Sequence, residues 1–270
     1  MTLRGRFIPE RSLALFLDVD GTLLELAASP DAVRVPAALR NTLELASQRE
    51  GGALALVSGR TLEDLDRLFA PRRFPALGQH GFERRDGCGR VIRAGVDHQL
   101  LEPVRDRLRA WLDPRDNLVL EEKTTALALH YRRAPHLQGE VRQTMEAAAA
   151  VLAPHYQLCA GKCVYELVPA CCSIGAALEA FMSEAPFAGR VPVFVGDDDT
   201  DEQGFDAVNA LGGYSIRVGR DDIRSAARFQ FATVSGVIAW LRERNTSMRH
   251  EAVVNRRDRS GRGVARPLRG

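Results

Sequence analysis

The stretch FLDVDGTLLE, Phe16 to Glu25, decides the fold because it ends an apolar run with two aspartates, Asp18 and Asp20. The residues before Asp18 read LALFL, which is typical of a strand buried on both faces of a parallel sheet. Carboxylates at the end of such a strand need solvent, hydrogen-bond donors or a cation. Gly21 and Thr22 follow, and they permit and brace a tight turn that directs both acids to one point.

The rest of the chain alternates short β-rich runs with helical patterns, which predicts an α/β protein with a largely parallel sheet. A helix is expected near residues 36–48, followed by the strand ALALVSG at 53–59. Thr61 is the predicted N-cap of the next helix, TLEDLDRLF. Further strands are expected in VPVFVGDD (191–198) and YSIRVG (214–219).

The middle of the chain has a different pattern, with two helical segments and the strand-like runs NLVLEE, TALALHYR and YQLCAGKCVYELV. The last run is predicted to be a hairpin that turns at Ala160–Gly161. We therefore expect a core formed by residues 1–97 and 168–243 and an inserted α+β cap at 98–167. Residues 244–270 are expected to be a disordered, arginine-rich tail.

The net charge of +2 is unevenly distributed. Nine arginines and three acidic residues follow Leu241, which gives that segment +6 and leaves −4 for the rest. The folded part therefore has no basic surplus, and we expect no nucleic-acid partner. No apolar run approaches the roughly 20 residues of a membrane helix, and the N-terminus lacks a signal-like apolar stretch. We expect a cytoplasmic monomer without a membrane partner.

Polar groups end three of the predicted strands: Asp18 with Asp20, then Ser58, then the run Asp197 to Asp199. Because the carboxyl ends of parallel strands meet at one edge of a sheet, these groups should lie together. So many carboxylates would repel one another without a cation. Oxygen ligands without paired histidines or a CxxC motif favour Mg²⁺ over zinc, and phosphoryl transfer is the chemistry that such a site supports.

Each motif also has a purely structural interpretation. Asp18 to Thr22 could form a capped turn, Ser58 could be a helix cap, and Asp197 to Asp199 could be a solvated loop. The occurrence of all three in this order favours a shared site.

The segments DVDGTLL, VSGR and GDDDTDE resemble the motifs of the haloacid-dehalogenase (HAD) superfamily of aspartyl-phosphate phosphatases. The span from about Leu13 to Gly219 resembles, more narrowly, the trehalose-6-phosphate phosphatase family. That resemblance is carried by FPALGQHGFERRDG, LALHYRRAP, GKCVYEL and FMSEAPFAGRVPVFVGDDDTDEQGFDAVNALGG. It implies a HAD-like Rossmannoid core with an α+β cap, and Mg²⁺-dependent hydrolysis of trehalose 6-phosphate through an aspartyl phosphate.

The resemblance also implies a role for each matching residue of the core. Asp18 would be the nucleophile, and Asp20 would protonate the leaving sugar oxygen and then activate water. Asp18, the backbone carbonyl of Asp20 and Asp197 would hold Mg²⁺, with Asp198 in support. Ser58 and Gly59 would bind the phosphate.

In the cap, strand alternation places Lys162, Val164 and Glu166 on one face. Similarity to the family assigns substrate recognition to the cap residues Glu121, Lys123, Arg132, Lys162 and Glu166, and we expect His80 of the core to face the same cleft. Without that similarity, two salt-bridged exposed strands would be the simpler interpretation. Lys123 and Lys162 are the only lysines in the chain.

One position departs from the superfamily pattern. In VPACCSIGAALEAF, Ile174 stands where members normally carry a lysine that neutralises nucleophile and phosphate. Loss of such a cation costs on the order of 3–4 kcal/mol of transition-state stabilisation. Lys162 or an arginine such as Arg60 could substitute, the enzyme could be slow, or the protein could bind sugar phosphates without hydrolysing them. We hypothesise reduced but persistent activity. Another sugar phosphatase of the superfamily is the alternative enzyme.

Overall fold

The computed structural model describes residues 12–26, 33–95, 97–113, 115–219 and 224–246. Its strands are β1 (Leu13–Asp18), β2 (Leu54–Val57), β3 (Ala76–Gly78), β4 (Glu83–Arg85), β5 (Val91–Arg93), β6 (Val119–Glu122), β7 (Leu127–His130), β8 (Tyr156–Gly161), β9 (Val164–Pro169), β10 (Val191–Gly196), β11 (Tyr214–Val218) and β12 (Phe229–Phe231). Its helices are α1 (Ala37–Arg49), α2 (Leu62–Phe69), α3 (Glu102–Leu112), α4 (Gln138–Leu152), α5 (Ile174–Met182), α6 (Glu202–Ala210) and α7 (234–246).

The larger sheet has eight strands in the order β12-β11-β10-β1-β2-β3-β4-β5. The pairs from β12 to β3 are parallel, and β4 and β5 extend the sheet as an antiparallel edge. Strand β1 lies between β2 and β10, so Asp18 at its carboxyl end is central in the sheet. The predicted parallel α/β core is confirmed.

The all-apolar sequence of β1 is explained by its burial on both faces. Leu13, Leu15 and Leu17 belong to one hydrophobic cluster, which also contains apolar residues of α1, α2 and α7. Ala14 and Phe16 belong to another, which contains residues of α5 and α6. Because successive side chains of a strand point to opposite faces, an uninterrupted apolar run gives the sheet two buried faces.

The chain between β5 and α5 forms a second sheet of four antiparallel strands, ordered β6-β7-β9-β8. Helices α3 and α4 pack on it, and the unit has its own hydrophobic cluster, to which Leu108, Met145 and Leu167 belong. The predicted cap is therefore an α+β unit. The predicted position of its hairpin turn is wrong by two residues: β8 continues through Gly161, and the turn is made by Lys162 and Cys163. Cys163 has a positive φ of 61.

The predicted C-terminal tail lies outside the described residues from position 247 onward. Its first residues, 244–246, belong instead to α7, where the buried Arg244 donates to Glu50 Oε1 at 2.9 Å. None of the helices in the described part of the chain combines the length and apolarity needed to cross a bilayer.

Candidate active site

A cleft of about 510 Å³ lies between the carboxyl ends of the core strands and the cap sheet. Every residue that the sequence analysis assigned to the site lines this cleft: Asp18, Asp20, Ser58, Gly59, His80, Glu121, Lys123, Arg132, Lys162, Glu166, Asp197 and Asp198. The core residues lie at or just after the ends of β1, β2, β3 and β10, which are neighbours in the sheet, and the others come from the cap sheet that faces these ends.

Three buried carboxylates meet at the core side of the cleft, and two of them, Asp18 and Asp197, line it. Asp18, Asp197 and Asp201 each place one oxygen within 4.8 Å of the other two, the only such metal-compatible group among the described residues. Asp18 Oδ2 is buried and has no hydrogen-bond partner. Gly21 makes the close approach possible: its φ is +96, and a Cβ there would lie 2.0 Å from Asp197 Oδ2. Any other residue at position 21 would push Asp197 away.

The electrostatics of this acidic group are unfavourable without a cation. Burial, followed by the charges of Asp201 and Asp197, raises the pKa of Asp18 well above its usual value. Burial also raises the pKa of Asp197 and brings that of Asp201 to about 7, although backbone N–H groups of Asp198 and Asp197 oppose the shift at Asp201. A buried all-oxygen set with an unpartnered oxygen fits a hard divalent cation.

Asp201 is a site residue that the sequence analysis missed. It follows Asp197 by four residues, and its Oδ2 accepts from the backbone N–H groups of Asp197 at 2.8 Å and Asp198 at 3.0 Å. It therefore orients the loop as well as supplying charge. The available signal was the dense acidic run GDDDTDE, in which only the first aspartates were selected. Asp198 lies outside the three-carboxylate group, and its oxygens accept from the N–H groups of Lys162 and Asp199.

Asp20 and Ser58 occupy the core side of the cleft. Arg60 holds the Asp20 carboxylate with two hydrogen bonds, of 2.6 Å from Nε and 2.7 Å from Nη2. The buried Ser58 Oγ accepts from Arg60 N at 3.1 Å. This bond does not use the hydroxyl hydrogen of Ser58. Arg60, named in the sequence analysis only as a possible replacement for lysine, is thus a partner of the proposed acid–base residue.

The cap side carries a row of alternating charges. Lys123 Nζ donates to Glu166 Oε1 at 2.6 Å and to the Gly59 carbonyl at 2.8 Å, and Glu166 Oε2 lies 2.7 Å from His80 Nε2. Burial alone would raise the pKa of Glu166, but Lys123 and His80 outweigh it and hold that pKa below its usual value. Here cap and core are in direct contact.

The row continues at Glu121, whose Oε2 lies 2.9 Å from His130 Nε2. His130 also lines the cleft and was missed. The alternation of side chains along β7 could have indicated it, because His130 lies on the same face of the strand as Ala128, which also lines the cleft.

Lys162 reaches the acidic group from the cap hairpin. Its Nζ lies 2.5 Å from Asp197 Oδ2, and its backbone N–H donates to Asp198 Oδ2 at 3.0 Å. Arg132 donates from Nη2 to the Lys162 carbonyl at 3.4 Å. Ile174, by contrast, is 3% exposed and belongs to the apolar cluster at the start of α5. The cation next to Asp197 therefore comes from the cap.

Comparisons with known proteins agree with this arrangement. A family model described as trehalose-phosphatase matches residues 16–234. The chain is 40% identical over 245 residues to trehalose-6-phosphate phosphatase from Escherichia coli, covering 91% of each chain. It is 48% identical over 206 residues to a probable trehalose-phosphate phosphatase from Sinorhizobium fredii, covering 76% of this chain and 77% of the relative.

Solved structures match the fold. The C-terminal domain of C. albicans trehalose-6-phosphate phosphatase superposes with a TM-score of 0.77 at 22% identity, covering 88% of this chain and 93% of that one. A haloacid dehalogenase-like hydrolase from B. subtilis has a TM-score of 0.60 at 17% identity, covering 86% and 99%. The core is thus of the HAD type, as predicted. The extent of the family match and the identity to these two relatives show that the chain belongs to the trehalose-phosphatase family of phosphatases.

Proposed function

We propose that the protein hydrolyses trehalose 6-phosphate to trehalose and phosphate, with Mg²⁺ bound and Asp18 as the nucleophile. The observation that carries the mechanism is the unpartnered, buried Asp18 Oδ2 beside Asp197 and Asp201 at the core side of the cleft. The substrate is inferred from the named relatives, which are trehalose-phosphate phosphatases. A cleft of about 510 Å³ with charged side chains on its cap side is compatible with a phosphorylated disaccharide.

Asp18, Asp197 and Asp201 would hold the magnesium ion, with the Asp20 carbonyl as a further ligand. When bound, the ion would neutralise the acids and polarise the phosphate, which otherwise could not approach so negative a site. Asp198 would act indirectly, because it lies outside the three-carboxylate group and each of its two oxygens already accepts a backbone N–H group, whereas Asp201 uses only Oδ2 in this way.

The reaction would proceed in two displacements. In the first, an Asp18 oxygen bonds to phosphorus while the bond from phosphorus to the sugar oxygen breaks, and Asp20 gives that oxygen its proton. Asp20 must turn one oxygen from Arg60 towards the substrate to do so. In the second, water attacks phosphorus, Asp20 takes its proton, and phosphate leaves with Asp18 restored. The Ser58 hydroxyl would donate to a phosphate oxygen.

The cap would recognise the sugar part of the substrate. Glu121, Lys123, Glu166 and His130 present alternating donors and acceptors to the cleft, as recognition of sugar hydroxyls requires. Arg132 and His80 would complete this surface. The contacts that these side chains now make with one another would be exchanged for contacts with the sugar, so their polar groups remain paired in both states.

The contact between Lys162 and Asp197 supports persistence of activity despite Ile174. A weakened sugar-phosphate binder is the alternative, favoured by the apolar burial of Ile174. Ile174→Lys, which adds the superfamily's usual cation, should raise turnover if a charge deficit limits the rate. An unchanged rate of phosphate release would contradict the hypothesis that the missing lysine reduces activity.

The decisive experiment is phosphate release from a panel of sugar phosphates, with and without Mg²⁺. We expect trehalose 6-phosphate to be the preferred substrate and chelation to abolish release. Asp18→Asn should lower kcat by at least about a thousandfold while thermal unfolding still shows a folded protein. Tight binding of trehalose 6-phosphate without release would select the binder, and preference for another sugar phosphate would select a different substrate.

A further inference from the structure

The turn formed by Gln79 and His80 links the cap to the reacting end of the core. Both residues have positive φ, 48 and 54, a backbone conformation that is uncommon for residues other than glycine. Two such residues in succession persist only where the surroundings hold them, and such strain concentrates at functional sites. The surroundings here are the cap on one side and the Ser58–Arg60 segment on the other.

The side chains of the turn face the cap. The buried Gln79 accepts through Oε1 from Thr125 Oγ1, also buried, at 3.1 Å. His80 Nε2 lies 2.7 Å from Glu166 Oε2. Thr125 is in the connection between β6 and β7, and Glu166 is on β9, so the turn contacts two separate parts of the cap.

The backbone of the turn is bonded to the Ser58–Arg60 segment. Gln79 N donates to the Arg60 carbonyl at 2.9 Å, and His80 N donates to the Ser58 carbonyl at 3.3 Å. The His80 ring also fills the space beside Gly59, where a Cβ would lie 2.8 Å from Nε2. A shift of the turn would therefore move the segment that carries Ser58 and Arg60.

We propose that Gln79 and His80 are positioning residues that couple docking of the cap to the orientation of Asp20 and Ser58. The principal connection runs from Thr125 to Gln79, from Gln79 N to the Arg60 carbonyl, and from the Arg60 guanidinium to Asp20. A parallel one runs from Glu166 through His80 to Ser58. The proton-transfer residue is thereby set in place when the cap is docked. This inference rests on the proposed phosphatase function.

The proposal can be tested by removing the hydroxyl of Thr125, a cap residue that does not line the cleft. Thr125→Val should lower kcat for trehalose 6-phosphate by about 3- to 10-fold, the range expected for one neutral hydrogen bond, with KM changed less than about twofold. Thr125→Ser, which keeps the hydroxyl, should restore kcat. Thr124→Val makes the same substitution at the exposed neighbouring residue and should have no effect.

A double-mutant cycle separates coupling from general damage to the cap. In the Arg60→Gln background, which breaks the connection to Asp20, Thr125→Val should lower kcat by less than about twofold more. The same factor in both backgrounds, an unchanged kcat, or failure of Thr125→Ser to restore it would overturn the proposal.

Hydrogen exchange tests the coupling independently of turnover. Thr125→Val should speed exchange at the Gln79 and His80 amides, which donate to the Arg60 and Ser58 carbonyls, by at least about threefold. Unchanged exchange at both amides would overturn the proposal even in a chain that released no phosphate. Lack of phosphate release with the expected change in exchange would instead count against the proposed function.

Discussion

At the scale of single residues, the site brings together buried acids whose mutual repulsion is relieved either by protons or by a cation. Asp18, Asp197 and Asp201 each place one oxygen within 4.8 Å of the other two, and Gly21, which has no Cβ, leaves room for Asp197 to come this close. Their pKa values are raised, chiefly by burial and then by mutual repulsion. Lys162 Nζ contacts Asp197 and two backbone N–H groups hold Asp201, whereas Asp18 Oδ2 has no hydrogen-bond partner.

Asp201→Asn tests whether the third acid supports the metal. Asparagine keeps an oxygen that can accept from the Asp197 and Asp198 amides, so the loop should survive while the charge is lost. We expect the Mg²⁺ concentration for half-maximal phosphate release to rise by about 10- to 100-fold. Asp199→Asn in the same loop removes a largely exposed carboxylate. It should change the Mg²⁺ concentration for half-maximal release less than about twofold. Equal effects of the two substitutions would contradict the assigned role.

The sequence predicts which residues line the cleft where they end a strand, and it misses Asp201, which lies in the loop that follows β10. Asp18, Ser58 and Asp197 come directly after apolar runs, and parallel sheets place such ends together. Asp201 was missed because an acid at the start of a helix is equally typical of a cap. The partnership of Arg60 with Asp20, 40 residues away, depends on side-chain directions that no local pattern encodes.

At the scale of elements, the β8–β9 hairpin both lines the cleft and reaches the acidic group of the core. Its tip brings Lys162 to Asp197 and bonds the backbone of the same residue to Asp198. The hairpin turns two residues later than the sequence predicts, because β8 stays paired with β9 as far as Gly161 opposite Val164. That extension places Lys162 at the tip of the hairpin, from which its side chain spans the gap to the core.

Lys162→Met tests whether the hairpin supplies a cation for the chemical step. Methionine keeps an unbranched side chain of similar length without charge, so a loss in kcat would report electrostatics. We expect kcat to fall by about 100- to 1,000-fold, as for removal of other transition-state stabilisers. Lys162→Arg, which keeps the charge, should remain within about tenfold of the original. A rise in KM with unchanged kcat would restrict Lys162 to sugar binding.

Elements were predictable wherever one local pattern agreed with the global fold. Helix α2 begins where expected, with Thr61 Oγ1 accepting from Asp64 N and Leu62, Leu65 and Phe69 buried. The left-handed turn at Gln79 and His80 was not predicted, because positive φ is uncommon for any residue other than glycine and tertiary contacts impose the conformation here.

At the scale of the whole molecule, the acidic group links metal binding to stability and pH. The pKa of Asp201 is about 7 against an ordinary 3.8, and those of Asp18 and Asp197 are also raised. The metal-free folded chain therefore holds protons that the unfolded chain releases in this range. Its free energy of unfolding should fall as pH rises from about 4 to 7, because the unfolded state then binds fewer protons.

Magnesium should reverse this loss, since it binds the deprotonated carboxylates. We expect saturating Mg²⁺ to raise Tm more at about pH 8 than at about pH 5, where protons compete with the ion. Thermal unfolding at both pH values, with and without the ion, measures this. Asp201→Asn should make the Mg²⁺-induced rise in Tm more similar at the two pH values, whereas Asp199→Asn should leave the difference between the two rises unchanged. An equal rise in Tm at both would contradict binding at this group.

The central claim is that Asp18 becomes phosphorylated during turnover, and trapping that intermediate tests it most directly. The protein would be mixed with trehalose 6-phosphate and Mg²⁺, quenched in acid within milliseconds and reduced with borohydride, which converts an aspartyl phosphate to homoserine. We predict that peptide mass spectrometry will find homoserine at position 18, dependent on both substrate and Mg²⁺. Continued phosphate release with an unmodified Asp18, or with the modification at another residue, would contradict the account.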